Sequence, residues 1–354
     1  MFSQRKSSWL VILLVLVSVF VLTGCGDESI SVMKPSGPVA EEQLWLMKLG
    51  ITIMVFVVVV VFAIWGYVLY KFRKRKGEQD KTEAIDKQVQ GNHLYEIIWT
   101  VIPFILLVIL AVPTLTSLYK HEKTYSKEEA LQIKVVGHQF WWEFQYKDMG
   151  ITTAQDLYIP TGKKIQFDLT ASDVIHSFWV PAIAGKTDNN PGLNNEMWFQ
   201  ADKEGIFRGK CAELCGASHA LMDFKVIAIS PEKFEKWAKD FKALKDNPKT
   251  ADAKEGQAVF ANKCLMCHAV GEAGGKIGPS LTTIGDRTEI AGILPNDKTK
   301  LGQEVNPKLF RDNMDNWLTN TNTVKPGNKM GIIPLTNKEK NALIEYLAGL
   351  KLEQ

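Results

Sequence analysis

Three long apolar runs occupy the first third of the chain. Residues 9–22 form the first run, and the basic residues Arg5 and Lys6 precede it. The other two span roughly residues 44–70 and 97–118, and their central parts contain no ionisable residue. Each of these two is long enough for the roughly 20 residues with which an α-helix crosses a bilayer core. The pattern predicts a leader followed by a two-helix transmembrane hairpin.

The polar segment between the two spans indicates their orientation. It begins with residues 71–76, of which five are Lys or Arg. Such basic clusters remain on the cytoplasmic side of a membrane. We therefore expect this loop in the cytoplasm, and everything after Lys120 on the outer side.

Short alternating segments replace the long apolar runs between residues 131 and 230. In each segment β-branched and aromatic residues alternate with polar ones, and Gly, Pro or Asp residues separate the segments. The predicted strands are residues 131–136, 140–146, 164–170, 197–201 and 224–229. This pattern predicts an all-β domain, a Greek-key sandwich or barrel.

Helical signals return after the predicted strands. Residues 231–250 are rich in lysine and predict a helix with a solvated face, followed by a polar linker. Asp252 and Glu255 offer an N-cap and its reciprocal partner for the next helix. Residues 336–350 predict a closing helix that begins with a capping box and has one apolar face. We expect that face to pack on residues 256–260.

Length, charge and cysteine count limit the class of protein. The 354 residues are enough for two or three domains besides the membrane segments. The net charge is only +3, and the sequence contains no internal repeat, no phosphate-binding glycine loop and no nucleic-acid motif. We therefore expect no nucleic-acid partner. Two cysteine pairs belong to the motifs described next, so that Cys25 alone remains and no disulfide framework is predicted.

Two thiols, two imidazoles and a thioether have the spacing of a metal site. His176 lies upstream of a short segment that contains Cys211, Cys215, His219 and Met222. Two thiolates can bridge a pair of metals, and soft ligands with a weak axial Met are typical of copper electron-transfer sites. A structural zinc site would not need the Met, and a disulfide would need neither imidazole. The pattern predicts two copper ions that pass electrons and bind no substrate.

A second redox motif consists of Cys264, Cys267 and His268. Both thiols can form thioethers to haem vinyl groups, and the adjacent His can bind the iron. With its preceding helix and the Gly278-Pro279 pair that follows, this part of the chain resembles a class I cytochrome c. The resemblance implies an all-α domain with one covalent haem c.

The same resemblance implies a methionine as the second axial ligand of the haem. Met330 ends a Lys-Pro-Gly-Asn-Lys-Met segment that is similar to the ligand loop of the family, although Gly331 follows where Pro is common. Met330 is therefore the expected ligand. The alternatives are Met314 and Met266.

The copper motif and the two spans together resemble subunit II of cytochrome c oxidase, whose binuclear copper centre is called CuA. The resemblance implies a cupredoxin-like β domain and a catalytic subunit I as partner. The implied copper ligands are His176, Cys211, the carbonyl of Glu213, Cys215, His219 and Met222. It also implies that the Glu213 carboxylate helps to hold a magnesium ion against the catalytic subunit.

Further roles follow from the same resemblance. Glu96, at the start of the second span, matches a residue near the mouth of a proton path, and a solvated carboxylate at the membrane surface is the alternative. Residues 137–142 match the aromatic segment where electrons enter. Many members have Trp at the position of Phe140, so Trp141 and Trp142 are the expected substitutes, and core packing is the alternative role of each ring.

The end of the leader, Leu-Thr-Gly-Cys25, resembles the lipobox of bacterial lipoproteins. The resemblance implies cleavage before Cys25 and attachment of lipid to its thiol. An uncleaved membrane anchor is the alternative.

The sequence therefore predicts a multidomain membrane protein similar to the fused subunit II of bacterial caa-type haem-copper oxidases. Such a subunit would take electrons from cytochrome c or another donor at haem c. It would pass them to CuA and on to the subunit that reduces O₂ to water with proton pumping. The alternatives are a CuA subunit of a nitric oxide reductase and a stand-alone lipoprotein electron carrier. We expect it in the bacterial cell membrane, with its C-terminal domains outside the cytoplasm.

The predicted domains follow one another along the chain. They are a signal peptide (1–24), a tether with the transmembrane hairpin (25–120), the CuA domain (121–235), a linker (236–253) and the cytochrome c domain (254–354).

Overall fold

Two long apolar helices begin the structure, a computed structural model that describes residues 26–73, 91–244 and 246–352. Helix α1 is Pro38–Phe72 and helix α2 is His93–His121, and the two helices contact each other. Their most apolar windows have mean hydropathies of 2.7 and 2.5 and are not buried by the rest of the chain. The predicted transmembrane hairpin is confirmed. Cys25 and most of the basic cluster lie outside the described residues.

The next part of the chain folds into two five-stranded sheets. In chain order the strands are β1 Leu131–His138, β2 Trp141–Tyr146, β3 Ile151–Ala154, β4 Asp156–Pro160, β5 Ile165–Ala171, β6 His176–Trp179, β7 Lys186–Asn189, β8 Asn195–Phe199, β9 Gly205–Cys211 and β10 Asp223–Ile229. One sheet has the order β3-β2-β1-β5-β8, and the other has the order β4-β10-β9-β6-β7. The five predicted strands are β1, β2, β5, β8 and β10, and the prediction missed the other five.

The core of the β domain lies between the two sheets. Alternate residues of β1 are buried, as expected for a strand with one face on a core. Phe178 from one sheet packs against Phe167 from the other, with ring centroids 5.4 Å apart. A single apolar cluster includes residues of both sheets. The all-β, cupredoxin-like prediction is confirmed.

Helix α3, Pro231–Ala243, closes one side of this core. It buries Phe234, Trp237 and Phe241, and the Trp237 ring stacks on Tyr158 with centroids 4.6 Å apart. The predicted linker of residues 236–253 is therefore wrong at its start, because residues 236–243 are part of a helix packed on the β domain. These aromatic residues share the buried face of the helix, whereas its lysines are exposed, as predicted.

The C-terminal part is mainly helical and has its own apolar core. Its helices are α4 Ala251–Lys263, α5 Pro307–Thr319, α6 Thr321–Val324 and α7 Asn337–Gly349. The Thr250 hydroxyl caps α4 by accepting a hydrogen bond from the Ala253 amide, so the predicted cap at Asp252 is wrong. The predicted capping box of α7, between Thr336 and Glu339, is confirmed.

The first and last helices of this domain pack closely, as the sequence predicts. The rings of Phe260 in α4 and Tyr346 in α7 have centroids 5.4 Å apart. A Cβ atom on Gly256 would lie 2.0 Å from the carbonyl oxygen of Ala342. This crossing therefore requires glycine at position 256.

Gly256→Ala is expected to destabilise the cytochrome c domain by about 2 kcal/mol or more, because the added methyl group meets backbone rather than a mobile side chain. Thermal unfolding followed at the haem absorption measures the loss. Gly349→Ala, in the same domain with open space around its Cβ position, is the matched control and should be nearly neutral. Equal melting temperatures for the two variants would contradict the close crossing.

Candidate metal centre and haem cavity

The loop between β9 and β10 brings two thiols and a thioether together with two imidazoles. Cys211 ends β9, Met222 directly precedes β10, and His176 begins the neighbouring strand β6. The Cys211 and Cys215 sulfurs are 3.8 Å apart, and Cys215 Sγ is 3.7 Å from Met222 Sδ. His176 Nδ1 lies 3.9 Å from Cys211 Sγ, and His219 Nδ1 lies 3.7 Å from Cys215 Sγ. All five predicted side chains therefore meet at one place.

The donor set fits a pair of copper ions. The imidazole of His176 lies next to Cys211, and that of His219 lies next to Cys215. Cys211 Sγ also lies 3.2 Å from the carbonyl oxygen of Glu213. The sulfur separation is far beyond the approximately 2.05 Å of a disulfide. A closed tetrahedral zinc site would leave the Met222 thioether and the Glu213 carbonyl without a role. Two metal ions held by both thiolates would use all of these donors.

The two thiols of this centre titrate as a coupled pair. The hydrogen bond from Cys215 lowers the pKa of the Cys211 thiol to about 3, although burial opposes this shift. The same contact raises the pKa of Cys215. The contact between the two sulfurs therefore favours a single thiolate, on Cys211, in the metal-free pair. Metal binding would release the remaining proton.

Asp173 orients the first imidazole from outside the ligand set. Its Oδ1 lies 2.9 Å from His176 Nε2, which leaves His176 Nδ1 facing the thiols. Burial opposes ionisation of Asp173, but hydrogen bonds from Lys329, His176 and the Gln139 amide lower its pKa overall. A carboxylate that accepts the second ring N–H is the usual support of a metal-binding histidine.

A cavity of about 600 Å³ in the helical domain contains the second motif. Cys264, Cys267 and His268 line it, and the cavity has the size of a typical cofactor site. His268 Nδ1 lies 2.8 Å from the carbonyl oxygen of Pro279, so this nitrogen donates and Nε2 is left to bind iron. Burial lowers the pKa of His268, which favours the neutral form that a metal needs. The residues fit a covalently attached haem c.

Two methionines line the same cavity, Met330 and Met314. Two hydrogen bonds fix the backbone of Met330. Its amide donates to Asn328 Oδ1 at 2.9 Å, and its carbonyl accepts from the Thr321 hydroxyl at 2.7 Å. Met266 is 81 % exposed, which argues against it as a ligand.

The haem cavity opens towards the copper domain, whose residues 138–141 form part of its wall. The loop that carries Met330 contacts the copper loop directly, because the Ser218 hydroxyl donates to the Pro326 carbonyl at 2.6 Å. Lys329 also pairs with Asp173 at 2.8 Å. The two candidate redox sites are therefore joined by hydrogen bonds between their own ligand loops.

The aromatic segment contributes three rings with different positions. Trp141 lines the haem cavity and stacks on His138 with centroids 4.0 Å apart. Trp142 is buried and has its ring centroid 6.0 Å from that of His176. Phe140 lines the cavity and is also close to the copper loop, since a Cβ on Gly216 would lie 3.1 Å from its ring. Which of these rings mediates electron entry stays a prediction, with Trp141 and Trp142 favoured by the sequence.

The carboxylates of Glu96 and Glu213 are not part of the thiol cluster. Glu96 is in the first turn of α2, and its carboxylate lies 3.3 Å from His93 Nδ1. The β domain follows the other end of α2, so the length of a membrane-spanning helix separates Glu96 from that end. The side chain of Glu213 is exposed, so only its carbonyl faces the metal centre. Cys25 is outside the described residues.

Three protein families match consecutive parts of the chain. Residues 28–117 match the transmembrane domain of cytochrome c oxidase subunit II, and residues 150–229 match its periplasmic domain. Residues 253–351 match cytochrome c. Fold and sites thus define a membrane-bound electron-transfer protein, with copper in a CuA domain, haem c in a cytochrome c domain, and its C-terminal part outside the cytoplasm.

Proteins described as cytochrome c oxidase subunit 2 resemble nearly the whole chain. The one from Alkalihalophilus pseudofirmus is 44 % identical over 338 residues, 94 % of each chain. The one from Bacillus subtilis is 43 % identical over 370 aligned positions, 98 % of each chain. The crystal structure of the periplasmic domain of subunit II from Bradyrhizobium japonicum shares 34 % identity, covering 31 % of this chain and 91 % of its own, with a TM-score of 0.30.

The chain belongs to the cytochrome c oxidase subunit II family. It is therefore part of a haem-copper oxidase complex with a catalytic subunit I. Membership favours the oxidase over the nitric oxide reductase subunit and over a stand-alone carrier.

Proposed function

We propose that this subunit accepts electrons in its cytochrome c domain and delivers them through its CuA domain to the catalytic subunit. Haem c and copper supply one-electron transfer when they are bound. Cys264, Cys267, His268 and Met330 hold the haem. The copper pair is held by His176, Cys211, the Glu213 carbonyl, Cys215, His219 and Met222. The hydrogen bond between Ser218 and Pro326 carries this proposal, because it joins the two ligand loops directly.

Residues between the two sites keep this contact dry and ordered. Phe140 is 3 % exposed and excludes water from the space between cavity and copper loop. The Gln139 side chain donates to the carbonyl of Cys215 at 2.7 Å and so ties the aromatic segment to a copper ligand. Asp173 links Lys329 of the haem loop to His176. Fixed contacts of this kind reduce the rearrangement that accompanies each change of charge.

A chain that ends after Leu244 tests the order of the two sites. The copper domain should fold and assemble, because the buried residues of its apolar core all come from the chain before Leu244. Oxygen uptake with a small-molecule reductant should then require added soluble cytochrome c. The full-length complex serves as control. Undiminished uptake by the shortened chain without any added cytochrome would contradict the proposed route.

The magnesium, proton and lipid roles are further parts of the proposal. The exposed Glu213 carboxylate shares a magnesium ion with the catalytic subunit, and the magnesium content of the complex with Glu213→Gln tests this.

Glu96 admits protons at the cytoplasmic end of α2, and Glu96→Gln should slow proton uptake by the complex. Cys25 carries lipid, and the mass of the N-terminal peptide decides this point. The upstream donor is a cytochrome c or another electron donor.

A further inference from the structure

A second contact between the two domains lies apart from both metal-binding loops. Asp156, the first residue of β4, is 4 % exposed. Its Oδ2 accepts a hydrogen bond from the Thr288 amide at 3.0 Å, and its Oδ1 accepts one from the Thr288 hydroxyl at 2.8 Å. Thr288 belongs to the cytochrome c domain. One carboxylate of the copper domain therefore binds the backbone and the side chain of the same residue across the domain boundary.

Charged groups surround this contact on both sides. Arg287 is buried, and burial lowers its pKa to about 10 while the charge of Asp156 opposes the shift. It is therefore a cation at neutral pH, next in sequence to the residue that Asp156 binds. Lys225 of β10 pairs with Glu289 of the cytochrome c domain at 2.8 Å, and both side chains are largely buried. Across the boundary, Arg287 is opposite in charge to Asp156, and Lys225 is opposite in charge to Glu289.

The backbones also approach closely here, and apolar contacts accompany the polar ones. Gly292 has a φ of +75°, and a Cβ there would lie 3.0 Å from the carbonyl oxygen of Asp223 in the copper domain. Leu301 and Leu352 of the cytochrome c domain pack against the core of the β domain. Close approach, apolar contact and paired charge are the features of a stable interface rather than of a passing encounter.

We propose that Asp156 is a positioning residue that locks the cytochrome c domain onto the copper domain through Thr288. The lock holds the haem cavity against Phe140 and the copper loop independently of the linker. The two hydrogen bonds from one residue to the buried carboxylate select a single arrangement of the domains, which a flexible tether alone would not do. The value of this docking for electron transfer rests on the proposed function, but the docking itself does not.

Cleavage of the linker tests the lock. A protease site is placed between Leu244 and Ala251 in the full chain, and the assembled, haem-loaded complex is cut and passed over a sizing column. The measured quantity is the fraction of haem c that remains with the copper subunit. In the parent chain nearly all of it should remain. Asp156→Asn should weaken the affinity of the cut domain by about 100-fold or more, because one partner of a buried charged contact is removed.

Matched variants separate the lock from general damage. Thr288→Val keeps the shape of the side chain but removes its hydroxyl, and it should release haem after cleavage, whereas Thr288→Ser should retain it. Asp148→Asn makes the same charge change at an exposed position of the copper domain and should behave as the parent. Haem absorption and the copper signal before cleavage show that each variant is folded. If Asp156→Asn does not fold, the Thr288 pair decides.

Two outcomes would overturn the proposal. Release of haem from the cut parent chain would mean that only the linker joins the domains. Full retention by both Asp156→Asn and Thr288→Val would mean that other contacts hold them. Neither outcome depends on the direction of electron flow. A failure of the electron route would appear instead as cytochrome-independent oxygen uptake by the shortened chain.

Discussion

Cys215→Ser is expected to abolish the mixed-valence copper signal of the purified subunit while haem c remains intact. Cys215 Sγ is within 3.8 Å of the Cys211 sulfur, within 3.7 Å of Met222 Sδ and within 3.7 Å of His219 Nδ1. A hydroxyl group is a hard donor that does not replace a bridging thiolate. Copper content should fall below the two ions per chain of the parent, and electron paramagnetic resonance measures the loss of the shared-electron signal.

The control for this variant is the reciprocal change in the other domain. Cys264→Ser should prevent normal haem attachment and leave the copper signal unchanged, because Cys264 lies in the separate apolar core of the cytochrome c domain. An unchanged copper spectrum in Cys215→Ser would exclude the binuclear assignment. Loss of both cofactors in each variant would show that the domains do not fold independently.

Met330→Ala should remove the long-wavelength absorption band that arises from sulfur-to-iron charge transfer. The thioether is the expected distal ligand, so its loss opens a coordination position on the iron. The reduction potential of haem c should also fall, because Met ligation raises it. Spectra of the oxidised protein and a potentiometric titration measure the two effects.

Met314→Ala is the matched control for the haem ligand. Met314 lines the same cavity but is on helix α5 and belongs to the buried core of the domain. This variant should lose stability through the cavity that it creates, by about 2 kcal/mol or more, and should keep the band. A band that survives in Met330→Ala and disappears in Met314→Ala would assign the ligand to Met314 instead.

The interface changes how the linker is understood. A flexible linker would raise the local concentration of the cytochrome c domain without selecting one orientation. The structure joins the two domains at Ser218 and Pro326 near the metal sites, and at Asp156 and Thr288 away from them. Because α3 occupies residues 236–243, the connecting segment is also shorter than the sequence indicated. Orientation is therefore set by side chains.

Local patterns in the sequence predicted the two apolar helices, half of the strands of the β domain, the class of each domain and the residues of both redox motifs. The helices α1 and α2 could be predicted from the length and composition of their apolar runs. The haem motif could be predicted because Cys264, Cys267 and His268 lie close together in the chain. The α7 capping box is likewise formed within one turn. Such features can be predicted from the sequence because the interacting groups are close together in the chain.

Only the tertiary structure decided which residues connect the domains. The position of Phe140 between the haem cavity and the copper loop was not evident from the sequence. Asp156 and Thr288 are 132 positions apart and carry no motif. The surface against which the apolar face of α3 packs, with Trp237 stacked on Tyr158, was not evident from the helix sequence alone. Contacts between distant segments depend on how sheets and helices pack in three dimensions, and no local periodicity encodes them.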